Sequence, residues 1–163
     1  MAFDLDDLRH RGFGGFVTIR ELRTSLKQTP DVHGVYAVLR PNESAPTFLE
    51  KSPAGWFKRQ DPSRPLSQLR MKWVPGATLV YLGKAGPSRG RTLRKRIAQF
   101  LEFGAGKPAA HRGGRAVWQL DDAEDLLLGW KRVSGQSPRE VEKALLGEFE
   151  SRFGALPFAN YKR

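Results

Sequence analysis

Two tyrosines of the chain stand beside glycine in short apolar segments. Tyr36 closes the triplet GVY, and Tyr81 opens the segment YLGKA. A basic segment that includes Arg96 and a final segment that includes Glu148 follow them along the chain. A phenol can exchange a proton, a guanidinium can hold a phosphate, and a carboxylate can bind a hard divalent cation. Together these four residue types suggest a site that hydrolyses phosphodiester bonds.

The position of Glu148 on its predicted helix is the main reason to expect a site. At about 100° per residue, Glu148 falls inside an apolar stripe whose members are Val141, Ala144, Leu145 and Phe149. A carboxylate on a core-facing helix face is costly unless it has a partner, a metal or a hydrogen-bond network. Taken alone, Glu148 indicates a salt bridge with Arg96 or Arg152. Beside two strand tyrosines and a basic helix, it indicates a metal ligand.

The positive charge of the chain is concentrated in one segment. The sequence has 28 Lys and Arg against 17 Asp and Glu, which gives a net charge of +11. Between residues 84 and 115, a single acid, Glu102, stands among nine basic residues: Lys84, Arg89, Arg91, Arg94, Lys95, Arg96, Lys107, Arg112 and Arg115. Such a charge attracts polyanions, and glycines in the segment let the backbone approach a ligand closely. We therefore expect these residues to contact nucleic-acid phosphates, a solvated basic face being the simpler alternative.

In their order along the chain, these segments resemble the signature of the GIY-YIG nucleases. GVY resembles the first half of that signature, and YLGKA resembles the second half in its YIGKA form. The segment LRKRI at 93–97 is similar to the helix that carries the family's arginine. ALLGE and PFAN resemble the closing segment, in which a metal-binding glutamate precedes an asparagine; here Glu148 and Asn160 are 12 residues apart. This interval is that of the nuclease domain of the bacterial excision-repair incision subunit.

The resemblance implies a metal-dependent endonuclease that hydrolyses DNA with one divalent cation, Mg²⁺ or Mn²⁺, bound to Glu148. Tyr36 or Tyr81 would take the proton of the attacking water, and Arg96 would hold the phosphate. Supporting roles fall to Gly83, Lys84, His111 and Asn160. A tyrosine is a base at neutral pH only where cations favour its phenolate, and Lys84, Arg96 and the metal are expected to do so. All of this requires the Glu148 carboxylate to face inward beside Arg96 and the two phenols.

One position departs from the family pattern. Members often carry Tyr or His four residues after the helix arginine, where this chain has Phe100, which cannot donate a hydrogen bond or move a proton. His111, in the basic segment HRGGR, is the candidate substitute. An inactive nucleic-acid-binding module on the same fold is therefore the alternative function.

Local patterns predict the elements that position these residues. Residues 1–30 form a helical extension with a capping box at 18–21. Strands are predicted at 31–40, 78–83 and 125–133, and helices at 91–103 and from Ser137, as N-cap, to about Phe153. Residues 41–76 form a proline-rich insertion with a short helix at 66–71, whose Trp56, Phe57 and Trp73 are expected to pack on the domain. The result is one domain, 1–163, of the α/β or α+β class, with a small three-stranded, mainly antiparallel sheet flanked by helices.

Composition excludes several classes of protein. The chain has no Cys, so it has neither disulfides nor Cys-based zinc sites. No apolar run approaches the roughly 18 residues of a spanning helix, and the N-terminus opens acidic, unlike a signal peptide. We expect a cytoplasmic protein that acts on DNA without binding membranes and has no organic cofactor. A protein partner or a homodimer is compatible with the sequence.

Overall fold

The computed structural model describes residues 1–162. Its elements in chain order are α1 (Leu5–His10), β1 (Gly14–Thr18), α2 (Ile19–Thr24), β2 (Gly34–Leu39), α3 (Leu66–Lys72), β3 (Leu79–Ala85), α4 (Leu93–Gly104), two 3₁₀ helices (Arg112–Gln119 and Ala123–Asp125), β4 (Leu127–Arg132) and α5 (Pro138–Phe153). The predicted α+β class with an antiparallel sheet and flanking helices is confirmed. Within residues 1–162, no helix is both long and apolar enough to cross a membrane.

The sheet has four strands in the order β1-β4-β2-β3, so the prediction of three strands is wrong. The missed strand, β1, has the sequence GGFVT, with two glycines and no clear alternation. A register shift between Gly15 and Val17 interrupts its pairing with β4. Glycine weakens a strand pattern because it has no side chain to pack. Pairing with β4, rather than local propensity, therefore places β1 in the sheet.

Alternation along the strands sends neighbouring side chains to opposite faces of the sheet. Tyr36 and Tyr81 point into a core formed with α4, the first 3₁₀ helix and the end of the chain. Val35 and Leu82 point into the other core, which α1 and α5 cover. The alternation along β2 and β3 therefore places both tyrosines on the same face of the sheet.

The boundaries of α5 agree with the predicted ones. Pro138 is its first residue, where a missing N–H costs nothing, and Ser137 precedes it as N-cap. Gly154 ends the helix at φ 77°, a left-handed conformation that glycine adopts without strain. Local signals thus fix the length of this helix, but not the face that it turns towards the sheet.

The insertion packs on the domain through one aromatic cluster and one buried amide. Trp73 contacts Phe48 and Phe158, with ring centroids 6.1 and 5.2 Å away. The Gln119 side chain, which is fully buried, bonds to the backbone of Leu49 and Arg64. Trp56, expected to pack as well, is instead 59% exposed.

Candidate active site at the edge of the sheet

The two tyrosines lie side by side on β2 and β3. Their ring centroids are 6.1 Å apart in an edge-to-face arrangement, and the Phe100 ring stacks on Tyr81 at 5.8 Å. Gly83 stands opposite Tyr36 in the β2–β3 register, and a Cβ at this position would collide with the Tyr36 ring. The glycine of YLGKA therefore provides the space in which the phenol of GVY lies.

Arg96 approaches the same phenols from α4. Its guanidinium donates to Gln99 Oε1 at 2.6 Å and to the Ala110 carbonyl at 3.2 Å. Its charge acts on both tyrosines, lowering their pKa values. The structure thus brings Tyr36, Tyr81 and Arg96 together.

Burial decides the protonation state of both phenols. It raises the pKa of Tyr36 to about 12 and that of Tyr81 well above its usual value, against the opposite effect of Arg96. Arg96 favours the phenolate form, as expected, but in the protein alone desolvation outweighs its charge; the expected contribution of a metal stays a prediction. Both hydroxyls are protonated at neutral pH.

His111 lies in the centre of this group. The Tyr36 hydroxyl and His111 Nε2 form a hydrogen bond, and the His111 ring lies 4.9 Å from that of Phe100. Burial, together with the charge of the nearby Arg96, lowers the pKa of His111 to about 3. A neutral imidazole that accepts from a protonated phenol carries its own proton on Nδ1. That nitrogen is buried without a hydrogen-bond partner in residues 1–162.

Glu148 does not lie at this site. Its side chain is 55% exposed and pairs with Arg11 Nη1 at 2.8 Å, on the side of α5 that faces α1. The prediction that Glu148 faces the core is wrong because the stripe was centred on the wrong residues. Ala144 is exposed, whereas Leu146 is buried. A metal site at Glu148 beside the tyrosines is thereby excluded.

Glu142, which the sequence analysis did not identify, occupies the expected place. The inner face of α5 is centred on the buried side chains of Leu145, Leu146 and Phe149. At about 100° per residue, Glu142 lies about 20° from that centre and Glu148 about 100° from it. Weighting the helix by its bulkiest apolar side chains, and omitting Ala144, would have found Glu142.

The Glu142 carboxylate is half-buried and has no basic group within 4 Å in residues 1–162. Burial raises its pKa, an effect that Lys84 and Arg139 oppose. Its charge raises the pKa of both Tyr36 and Tyr81. Glu142 is therefore electrostatically coupled to both phenols and lacks an ion-pair partner of its own.

A cavity of about 650 Å³ lies along the free edge of β3, and Tyr81 and Glu142 line it, whereas Tyr36, Arg96 and His111 do not. Tyr81 and Leu82, which point to opposite faces of the strand, both line it, and Lys84 and Glu142 lie in its wall. Asn160 also lines the cavity and is bonded through its side chain to both backbone groups of Leu82, at 3.0 and 2.9 Å. The amide thus attaches the end of the chain to β3.

The basic residues of the segment 84–115 do not form a single surface. Arg115 lines the cavity that contains Glu142. Arg112 donates to backbone carbonyls of residues 60 and 61 in the insertion. Arg89 lines a separate cavity near the start of α5, and Lys107 one beside α2. Arg91, Arg94 and Lys95 are exposed at the start of α4. Only part of the predicted phosphate-binding set therefore faces the candidate site.

Among the described residues, the cavity wall carries one carboxylate, Glu142, and five basic side chains: Lys84, Arg115, Arg139, Lys143 and Lys162. No group of three or more His, Cys, Asp or Glu that could hold a metal occurs in residues 1–162. Mg²⁺, however, is commonly bound through one or two carboxylates together with water and substrate phosphate. The unpaired Glu142 carboxylate, in an open polar cavity, fits that mode of binding.

Comparison of the chain with protein-family models, curated proteins and solved structures found no match.

Proposed function

We propose that this protein is a metal-dependent endonuclease of the GIY-YIG type that hydrolyses DNA phosphodiester bonds. The observation that carries the proposal is that the buried phenol of Tyr81 and the carboxylate of Glu142 line one open cavity, with Tyr36 and Arg96 behind Tyr81. A protein that merely binds nucleic acid has no use for a half-buried carboxylate among its cations, since the carboxylate repels phosphate and costs desolvation.

The residues around the cavity have separate roles in this proposal. Glu142 replaces Glu148 as the metal ligand, and a divalent cation bound there would polarise the scissile phosphate and add positive charge near the phenols. Arg96 offsets the negative charge that develops on the phosphate. Lys84, on the cavity wall, attracts the substrate.

The two tyrosines differ in what they can reach. Tyr36 is 1% exposed and its hydroxyl is engaged by His111, whereas Tyr81 lines the cavity. We therefore assign to Tyr81 the contact with the attacking water, and to Tyr36 the positioning of Tyr81. His111, which lies in a loop, holds Tyr36 in place. It thereby supplies the polar group that Phe100 cannot provide.

The test compares two glutamates of the same helix. Purified wild type, Glu142→Gln and Glu148→Gln are incubated with supercoiled plasmid and with a branched duplex, in Mg²⁺, in Mn²⁺ or in chelator. Wild type is expected to nick the DNA only when a divalent metal is present. Glu142→Gln should lose at least about a hundredfold in rate, since it removes the metal ligand. Glu148→Gln should cut as wild type does, because its carboxylate belongs to an exposed ion pair.

Each outcome distinguishes a model. Full activity in Glu142→Gln would refute the assignment of the metal ligand. Salt-sensitive band shifts without any product, in either metal, would instead indicate the inactive binding module.

A further inference from the structure

A second group of cations lies in and beside the same cavity, around the ring of Tyr161. Guanidinium carbons of Arg64 and Arg115 lie 4.0 and 4.4 Å from the ring centroid, and the Lys72 ammonium lies 5.1 Å from it. Arg64 and Lys72 come from the insertion, and Arg115 comes from the first 3₁₀ helix. Two segments that are distant in sequence thus direct positive charge at one aromatic side chain. We refer to these four residues as the Tyr161 cluster.

The cations of the Tyr161 cluster have no acidic partner among the described residues. Within residues 1–162, no carboxylate lies within 4 Å of the three charged groups. Arg40, the most buried arginine of the described residues, shows the contrast, since it is paired with Asp122 at 2.9 Å. Two polar atoms of the cluster, Arg64 Nε and the Tyr161 hydroxyl oxygen, are buried without a hydrogen-bond partner in the described residues.

The positive charges of the Tyr161 cluster are destabilised by burial and by their mutual repulsion. Burial lowers the pKa of Lys72, and Arg64 lowers it further. Burial likewise lowers the pKa of Arg115, where Arg64 and Arg112 add to the effect and Tyr161 opposes it. Burying like charges together is costly unless an opposite charge joins them. Contact with the aromatic ring offsets only part of this cost.

We propose that Arg64, Lys72 and Arg115 bind a backbone phosphate of nucleic acid, next to the phosphate that occupies the catalytic cavity. The proposal rests on the proposed function in one respect, that the polyanion is the substrate strand. Arg115 lines the same cavity as Tyr81 and Glu142, so one strand can reach both places. The Tyr161 ring lies against the two guanidiniums, and their planar donors suit phosphate oxygens.

The insertion thereby acquires a function in substrate binding. Arg64 lies just before α3 and Lys72 ends it, and the Lys72 ammonium also donates to the Asn160 carbonyl at 2.7 Å. The same side chain thus connects the insertion to the segment that is bonded to β3. A phosphate held by the Tyr161 cluster fixes the register of the strand relative to Glu142.

The test measures duplex binding without cleavage. Fluorescence anisotropy in chelator compares wild type with Arg64→Gln, Lys72→Gln and the control Arg9→Gln at several salt concentrations. Arg9 carries the same charge but lies against Phe16, which belongs to the core on the other face of the sheet. We expect Arg64→Gln and Lys72→Gln to bind roughly tenfold more weakly and to lower the salt slope by about 1, while Arg9→Gln stays within about twofold.

A second arm locates the phosphate. Duplexes that carry one neutral methylphosphonate are scanned position by position. At the phosphate held by the Tyr161 cluster, wild type should lose about as much affinity as Arg64→Gln loses on unmodified duplex. On that modified duplex, wild type and Arg64→Gln should bind equally, since their shared contact is already absent.

The possible results separate this inference from the proposed function. Suppose that Arg64→Gln and Lys72→Gln both bind duplex with wild-type affinity and that urea titration shows both to be folded. That result overturns the phosphate site even if the enzyme cuts DNA. Weakened binding together with a methylphosphonate position that removes the difference supports the site, even if no metal produces nicks. If the variants bind more weakly but no methylphosphonate position reproduces that loss of affinity, the phosphate site is also overturned. The loss would then reflect the net charge of the protein and not one contact.

Discussion

His111 is expected to make the protein less stable as the pH falls from 8 to 5. In the unfolded chain the ring titrates near 6.5, whereas in the folded protein its pKa lies at about 3. The unfolded state therefore binds a proton in this range and the folded state does not, so stability falls as the pH falls. The cause is burial beside Arg96, where an imidazolium would be both desolvated and repelled.

The magnitude follows from the two pKa values. At pH 5, protonation of the unfolded state lowers the free energy of unfolding by about 2 kcal/mol relative to pH 8. For a chain of this length, such a change corresponds to roughly 4–8 °C in melting temperature. Glu142 acts in the opposite direction: its raised pKa means that the folded state takes up a proton first as the pH falls. Wild type alone therefore does not isolate the histidine.

The assay is a urea titration of wild type and His111→Gln at pH 8, 7, 6 and 5. Glutamine is uncharged throughout and keeps an oxygen that can accept from Tyr36. The stability advantage of wild type over the variant should shrink by about 2 kcal/mol between pH 8 and pH 5. Parallel curves for the two proteins would refute the reasoning. They would mean that the ring is not held neutral inside the core, and hence that it does not position Tyr36.

Two further substitutions test how the site is held together. Asn160→Ala should lower the free energy of unfolding by about 2–4 kcal/mol in a urea titration, because both backbone groups of Leu82 lose a buried partner; an effect below about 1 kcal/mol would contradict this. Gly83→Ala should cost about 1–3 kcal/mol and reduce plasmid nicking, since its methyl group displaces the Tyr36 ring. Gly90→Ala is its control, because a Cβ there meets no atom within 4 Å and the substitution should leave both measurements unchanged.

Local sequence determined most of the elements. Thr18 caps α2 through the Glu21 amide at 3.1 Å, as the capping box predicted, and Ser137, Pro138 and Gly154 bound α5. These signals are reliable because each depends on a few neighbouring backbone groups. All six residues of β2 are buried, so the face that Tyr36 occupies follows from the pairing with β3 and not from a polar alternation. The two motif tyrosines and the helix arginine were nevertheless identified before any tertiary contact was known.

The acidic residue of the candidate site was beyond the reach of that reasoning. Glu142 and Glu148 lie on one helix whose ends were correctly predicted, but the helix covers both a core and a sheet edge. Which face turns inward depends on the bulky side chains that fill the space under β3, and Leu146 contributes as much there as Leu145. A helical wheel of the isolated segment places Glu142 on the inner face only when the bulky apolar side chains are weighted above Ala144.

What the sequence alone determined about this protein is its strong positive charge, the ends of α5 and the motif residues on β2, β3 and α4. Tertiary structure decided which carboxylate joins them, that His111 reaches Tyr36 across 75 positions of chain, and that Arg64, Lys72 and Arg115 meet at Tyr161. The physical reason is the range of the interactions. Caps and alternation act within a few residues, whereas burial, pKa shifts and unpaired charge arise from neighbours that only the folded chain brings together.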